Sequence, residues 1–428
     1  MKTLVLFLAA IATLPGAAMS AQDISGNWQG TLWLDTSSLV KSDGPFRTVL
    51  QISKTDDGGW KAVYYENVAA SKHPIPVASI TFTDMNVKFL IKPMHRHYLG
   101  RLSADGTRIT GTLDNDLLDF RRMEVDKRVT TSQLKQILAE NNRMPDGTAA
   151  QKLYRLELTE RLSEAKVSRY QADLPGIQDK QALMTVYDRS SFLDPPAAEI
   201  PAIAMPDLAA QRKMIALSVD YVAKTIHQLP NLYATRVTTS FVDNLWEKKP
   251  FHPAGIYSAT VLYRNGKERL QSSFFQWKAP GLTTSGEFGA ILDDALLDAV
   301  PGKLSWDHWE QGPEGPEAVY RYNVPADKSH YVVDGLVSAY EGKIAIDPSN
   351  GTIFRLVFRA RLEPPNPLLT ADIMVEYRPV ELGGKIYICP VRSIALSRDL
   401  QLQWLNDVVF EHYHVYRASA RILPGDTP

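Results

Sequence analysis

A single cysteine in 428 residues, Cys389, excludes an internal disulfide, so the fold has to rest on a packed core. Cys389 lies in the strand-like run Lys385-Ile-Tyr-Ile-Cys-Pro390 with no histidine beside it to take its proton. It reads as a buried structural thiol rather than a nucleophile. Excess charge of either sign is also missing: 47 Lys and Arg against 48 Asp and Glu leave a net charge of −1. Without a dense field of basic side chains, nucleic acid is excluded as a main partner. The common catalytic signatures are absent, with no G-x-S-x-G elbow, Walker loop, G-x-G-x-x-G, H-E-x-x-H or C-x-x-C. That leans the reading away from an enzyme, and no cofactor is called for. Extended disorder is excluded as well, at 44% hydrophobic and 22% charged residues.

What is present begins with an export signal. Lys2 precedes the apolar run Leu4-Val-Leu-Phe-Leu-Ala-Ala-Ile11, then Pro15-Gly16, and Ala18-Met19-Ser20 supplies a small-residue cleavage site. Residues 1–21 therefore read as a signal peptide, too short for a membrane span, with no cysteine near the cut to take a lipid. The mature chain is expected in the periplasm or outside the cell, with no transmembrane segment.

The stretch that organises the rest is residues 207–241. Leu208, Ile215, Val219, Val222, Ile226 and Leu229 fall at helical spacing on one face. Asp207 can cap this helix and Pro230 ends it. The run Tyr233-Ala-Thr-Arg-Val-Thr-Thr-Ser-Phe241 then turns to β-branched and aromatic residues suited to a strand. Strand-rich sequence continues to the end, with Asn265-Gly266 marking a hairpin and Asp347-Pro-Ser-Asn-Gly351 a turn. In residues 352–362, Arg355, Arg359 and Arg361 share one face, and Leu356, Phe358, Ala360 and Leu362 the other. In residues 371–377, Ala371, Ile373, Val375 and Tyr377 oppose Asp372 and Glu376. Paired, these strands would set carboxylates against guanidiniums on a wet face and leave an apolar face for the helix to cover.

Ahead of that stretch, residues 22–126 show short strands and tight turns at regular spacing, as in a small antiparallel β barrel or sandwich. Residues 127–193 are helical in pattern, opened by a Thr130–Gln133 capping box. Residues 194–206, with four prolines, form a stiff linker. Residues 207–428 carry the helix and curved sheet. The fold class is α+β and multidomain.

Two resemblances follow from quoted stretches. Asp23-Ile-Ser-Gly-Asn-Trp-Gln-Gly-Thr-Leu32, Gly58-Gly-Trp-Lys-Ala62, Ile75-Pro-Val-Ala-Ser-Ile80 and Leu102-Ser-Ala-Asp-Gly-Thr-Arg-Ile-Thr-Gly-Thr112 resemble a lipocalin-like β module of uncharacterised exported proteins from soil bacteria. Met94-His-Arg-His97 departs from that pattern. Tyr340-Glu-Gly-Lys-Ile-Ala-Ile-Asp-Pro-Ser-Asn-Gly-Thr-Ile-Phe-Arg-Leu356, with Val375-Glu-Tyr377 and Gly384-Lys-Ile-Tyr-Ile-Cys-Pro390, resembles the outer-membrane lipoprotein carrier and sorting-protein fold. This second resemblance implies a half-barrel that wraps a helix and binds lipid or lipoprotein.

The expected function is an exported, non-catalytic binding protein that holds an acyl or lipoprotein-type ligand between helix and sheet. Its lining would be Ile215, Val219, Val222, Ile226, Leu356, Phe358, Ile373 and Val375, with Trp306 and Trp309 as a possible aromatic patch. Whether that space is a cavity or a dry core stays open. Two other readings remain. One is an envelope assembly protein with a protein partner. The other is a metal-dependent hydrolase on the pairs His95 and His97 or His412 and His414, where two imidazoles could share a strand face but no further ligands stand at diagnostic spacing. Asp293, Asp294 and Asp298 read as a solvated helix face or as paired carboxylates.

Overall fold

The computed structural model describes residues 23–33, 46–66, 74–123, 127–141, 144–225, 228–246, 251–271, 280–299, 304–362, 366 and 368–415. The expected signal peptide lies outside them. The chain is α+β and forms two compact units, residues 1–123 and 124–428.

The first unit contains β1 (Gly26–Trp33), β2 (Phe46–Lys54), β3 (Trp60–Tyr65), β4 (Ile75–Pro76), β5 (Ser79–Thr83), β6 (Asn86–Ile91), β7 (Arg96–Leu102), β8 (Arg108–Leu113) and β9 (Asp116–Arg122). They pair in the order β4-β3-β2-β1-β9-β8-β7-β6-β5. The two ends of that sheet, β4 and β5, are separated in the chain by Val77 and Ala78 alone. Val77 N–H donates to Ala62 O of β3, and Ala78 N–H donates to Leu90 O of β6. The sheet therefore closes on itself as a barrel rather than a sandwich. Its interior is filled by side chains, with Phe89 stacked on Tyr98 at 4.5 Å and Phe120 edge-on to Tyr98 at 5.3 Å. Gly100 and Gly111 are register partners, and their missing side chains leave the room that the Tyr98 ring occupies.

The second unit opens with β10 (Lys127–Val129), α1 (Thr131–Asn141), α2 (Thr148–Leu153), β11 (Leu156–Leu158), α3 (Glu164–Asp173) and α4 (Ile177–Ser190). Next come α5 (Leu208–Thr225), β12 (Leu232–Asn244), β13 (His252–Arg264), β14 (Lys267–Gln271) and α6 (Ala290–Ala299). The remaining strands are β15 (Ser305–Gly312), β16 (Gly315–Val324), β17 (Val332–Val333), β18 (Leu336–Val337), β19 (Tyr340–Ile346), β20 (Ile353–Arg361), β21 (Thr370–Leu382), β22 (Lys385–Arg398) and β23 (Leu402–Val415). A ten-stranded antiparallel sheet runs β14-β13-β12-β23-β22-β21-β20-β19-β16-β15.

Strand alternation sends Leu356, Phe358, Ile373 and Val375 to one face, where they join Val222 of α5 and Ile291, Leu292 and Leu296 of α6 in one core. The opposite face is covered too. Val357, Met374, Ile394 and Leu405 pack in a second core with Leu134, Leu183 and Val186 of the helical segment. The face expected to be wet thus lies under α1–α4. The physical reason is that the apolar residues on that face, Val357 and Met374, need cover as much as those on the other.

The helix α5 starts where expected, with Ala210 N–H donating to Asp207 Oδ1 at 2.8 Å. Its seated line differs from the sequence stripe. Met214, Ser218 and Val222 are buried, Ile215 is half-buried, and Leu208 and Val219 are exposed. Met214 and Ser218, four residues apart, carry the contact, and a serine in that line hides it from an apolar count. Ile226 lies outside the described residues.

Candidate functional site

The space beside α5 is filled by protein. The void lined by Tyr221, Val222, Leu229, Phe288, Leu292 and Tyr377 measures about 10 Å³, the room of a single water and far below that of an acyl chain. Leu356, Phe358 and Val375 belong to this packed core, and Ile373, also in that core, lines a separate space of about 290 Å³ beside α6 with Ile291, His330 and Tyr331. Trp306 and Trp309 meet edge to face at 5.0 Å, and Trp309 Nε1–H donates to Ala204 O at 3.0 Å. Both tryptophans pack on the rim of the same core.

The histidine pairs do not converge on further ligands. His95 takes a left-handed conformation (φ 52°) just ahead of β7, so it does not share strand alternation with His97. A bulge in β23 opposite β12, with His412 at φ 52°, breaks the alternation between His412 and His414. His414 instead stacks on Tyr233 at 5.0 Å, and His412 Nδ1 lies 3.4 Å from Glu411 Oε1. Among the described residues, one trio of metal-ligating side chains converges: Asp194, Asp307 and His308. The Lys343 ammonium already bridges its two carboxylates. The three aspartates of α6 also separate. Asp298 is buried and accepts from the Tyr340 hydroxyl at 2.8 Å and from His330, through the backbone N–H at 2.9 Å and Nδ1 at 2.5 Å.

A space similar in size to the one beside α6 lies on the opposite sheet face, between the helical layer and the sheet, and a neighbouring one of about 340 Å³ lies beside Lys343 and Arg359. The former, a cleft of about 320 Å³, is lined by Arg161, Tyr187, Glu310, Glu317, Arg355 and Arg378, among others. Glu310 and Glu317 stand opposite each other on β15 and β16, joined by the turn after Gly312. Arg355 projects from β20 and Arg378 from β21, while Arg161 comes from the segment between β11 and α3. Glu310 is saturated. Arg161 Nη2 donates to it at 2.6 Å, Arg355 Nη2 reaches both oxygens at 2.8 Å, and His308 Nε2 lies 3.0 Å away. Burial pushes its carboxyl up, but the hydrogen bonds and charges of His308 and Arg161 outweigh that and hold it below the ordinary carboxylate range.

Glu317 has the opposite surroundings. It is buried, and Oε1 has no hydrogen-bond partner among the described residues. Burial, together with the charges of Glu310 and Glu376, raises its carboxyl to about 7 against the pull of Arg378 and Arg161. Arg161 Nη1 is likewise buried without a partner. Two side chains that line the cleft thus each carry a buried polar atom without a partner, which costs free energy while unmet.

The sequence reading did not single out Arg161, Glu310, Glu317 or Arg378. The available signal was the turn between Gly312 and Gly315, which makes Glu310 and Glu317 cross-strand partners.

No protein-family model matches the chain, and no curated protein does. Among solved structures, one similar chain is a domain from Vibrio parahaemolyticus that bears the name of an outer membrane lipoprotein-sorting protein. It is 9% identical, covers 48% of this chain and 92% of its own, and has a TM-score of 0.27. Another, named as an outer membrane protein of Bacteroides fragilis, is 7% identical, covers 90% of this chain and 97% of its own, and has a TM-score of 0.16. Among the described residues, no helix is long and apolar enough to cross a membrane.

Proposed function

We propose that this chain is an exported, non-catalytic binding protein whose ligand enters the charged cleft between α3–α4 and the sheet. The observation that carries this reading is that the cleft of about 320 Å³ is lined by two side chains with buried polar atoms that lack a partner, Arg161 Nη1 and Glu317 Oε1, whereas the void directly beside α5 measures about 10 Å³. Export rests on the apolar run and cleavage site in residues 1–21. An acyl or lipoprotein ligand beneath α5 would require that helix to leave the core that Leu356, Phe358 and Val375 share with Val222.

Native mass spectrometry of gently purified protein tests the choice. A small polar adduct that disappears in Arg161→Ala and Glu317→Gln is the expected result. A co-purifying acyl chain or lipopeptide, retained in both variants, would return the site to the α5 side.

A further inference from the structure

The lining of the cleft sorts into groups that are satisfied and groups that are not. Arg355 is committed to Glu310, and Arg378 Nη1 donates to Tyr377 O at 2.8 Å and Phe354 O at 3.3 Å. Four carboxylates (Glu164, Glu310, Glu317, Glu376) face three guanidiniums (Arg161, Arg355, Arg378). The carboxylate among them with an unmet buried oxygen is Glu317. The unmet donor, Arg161 Nη1, lies in the same cleft.

We infer that the ligand is a small zwitterion of the amino-acid class, whose ammonium sits on Glu317 and whose carboxylate sits on Arg161. This rests on the cleft being the binding site. The ammonium pairs with the Glu317 carboxylate, and the ligand carboxylate accepts from the Arg161 guanidinium in the charge-assisted geometry that guanidinium favours.

A linked proton follows. The groups facing Glu317 are Glu310 from β15, Glu376 and Arg378 from β21, and Arg161 from the segment before α3, and together with burial they keep its carboxyl at about 7. The ammonium binds the ionised form, so capture near neutrality releases a proton and affinity rises with pH through that value.

The probe is 6-aminohexanoate, whose amine keeps its charge to about pH 10, titrated calorimetrically into the full chain at pH 6 and pH 8. Hexanoate, 1-aminohexane and glucose serve as comparisons. Affinity for 6-aminohexanoate should be about tenfold tighter at pH 8, as the ionised fraction of a group near 7 requires. Proton release should show as a dependence on buffer ionisation heat at pH 6. Glu317→Gln should erase the pH dependence and weaken binding at least tenfold at pH 8. Absence of binding at millimolar 6-aminohexanoate, or equal affinity at both pH values, overturns the zwitterion. Glucose or hexanoate binding that is lost in Arg161→Ala also overturns it, but leaves the cleft as the site. A ligand indifferent to both Arg161→Ala and Glu317→Gln removes the cleft reading itself.

Discussion

Glu310 and Glu317 are register partners across the β15–β16 hairpin, yet their carboxyls are driven in opposite directions. Two strands place them side by side. The guanidiniums of Arg161 and Arg355 and the imidazole of His308 attend the first and leave the second to burial. Neighbouring carboxylates with split protonation are a common arrangement for handling charge.

The first prediction concerns stability against pH. Glu317 moves from about 4.5 unfolded to about 7 folded, so between those values the native state binds more protons than the unfolded one. Stability contributed by this group therefore falls as pH rises from about 4.5 to about 7, and is flat above. Burial sets the shift, and its full value corresponds to roughly 3 kcal/mol as an upper figure. Glu317→Gln should unfold at the same denaturant concentration as the parent near pH 5. At pH 8 it should be more stable by about 1–3 kcal/mol. Glu268, also raised to about 7 by burial and by Glu287, leaves a residual slope in the variant. Parallel stability curves for parent and variant between pH 5 and 8 would refute the assignment.

A second prediction follows from the attachment of the helical layer. Arg392 of β22 donates through Nη2 to Asp188 of α4, which is fully buried, and through Nε to Asp407 of β23 at 3.0 Å. Arg392→Met would leave Asp188 buried without its counter-ion, at a cost of about 3–5 kcal/mol. Burial and Asp407 already raise the Asp188 carboxyl, and loss of the guanidinium raises it further. The carboxyl can then take a proton, so the deficit should shrink as pH falls toward 5. Adding Asp188→Asn should recover much of the loss at neutral pH. Hydrogen exchange along residues 177–190 would localise the effect, and a deficit independent of pH would count against it.

The sequence carried the alternation of β20 and β21 and the meeting of guanidiniums with carboxylates across them, which the structure sets as Arg355 to Glu376 and Arg359 to Asp372. It also carried the start of α5 at Asp207, because capping and strand parity are local and legible from spacing alone. What it could not carry depended on distant partners. The placement of α1–α4 over Val357 and Met374 joins segments some 200 residues apart, and no period in either segment names the other. The bulge at His412 defeated a parity argument for His412 and His414, since one extra residue reverses every side chain after it. The seat of α5 was displaced because Ser218, polar by composition, is buried at the centre of the contact and donates to Met214 O at 3.3 Å. Arg161 and Glu317 were missed for the same kind of reason: their significance lies in the bonds they do not make.

The last prediction tests how tightly α5 is seated on the sheet. Gly351, in the turn between β19 and β20, has φ +78°, and a Cβ there would lie 2.3 Å from the carbonyl carbon of Leu217. That contact is backbone against backbone, so no side-chain rotation can relieve it. Gly384, between β21 and β22, has φ +80° and open space around its own Cβ position. Both glycines adopt a left-handed conformation that costs alanine about 1 kcal/mol, so Gly384→Ala measures the conformational penalty alone. Gly351→Ala carries that penalty plus the clash with α5, and should be less stable than Gly384→Ala by a further 2 kcal/mol or so. The extra loss should coincide with faster hydrogen exchange in residues 208–225 and no change in the barrel unit. Equal destabilisation by the two variants would mean that α5 yields freely at Leu217 and Ser218. In that case the space beneath it could open to an apolar guest, and the cleft around Glu317 would lose its advantage.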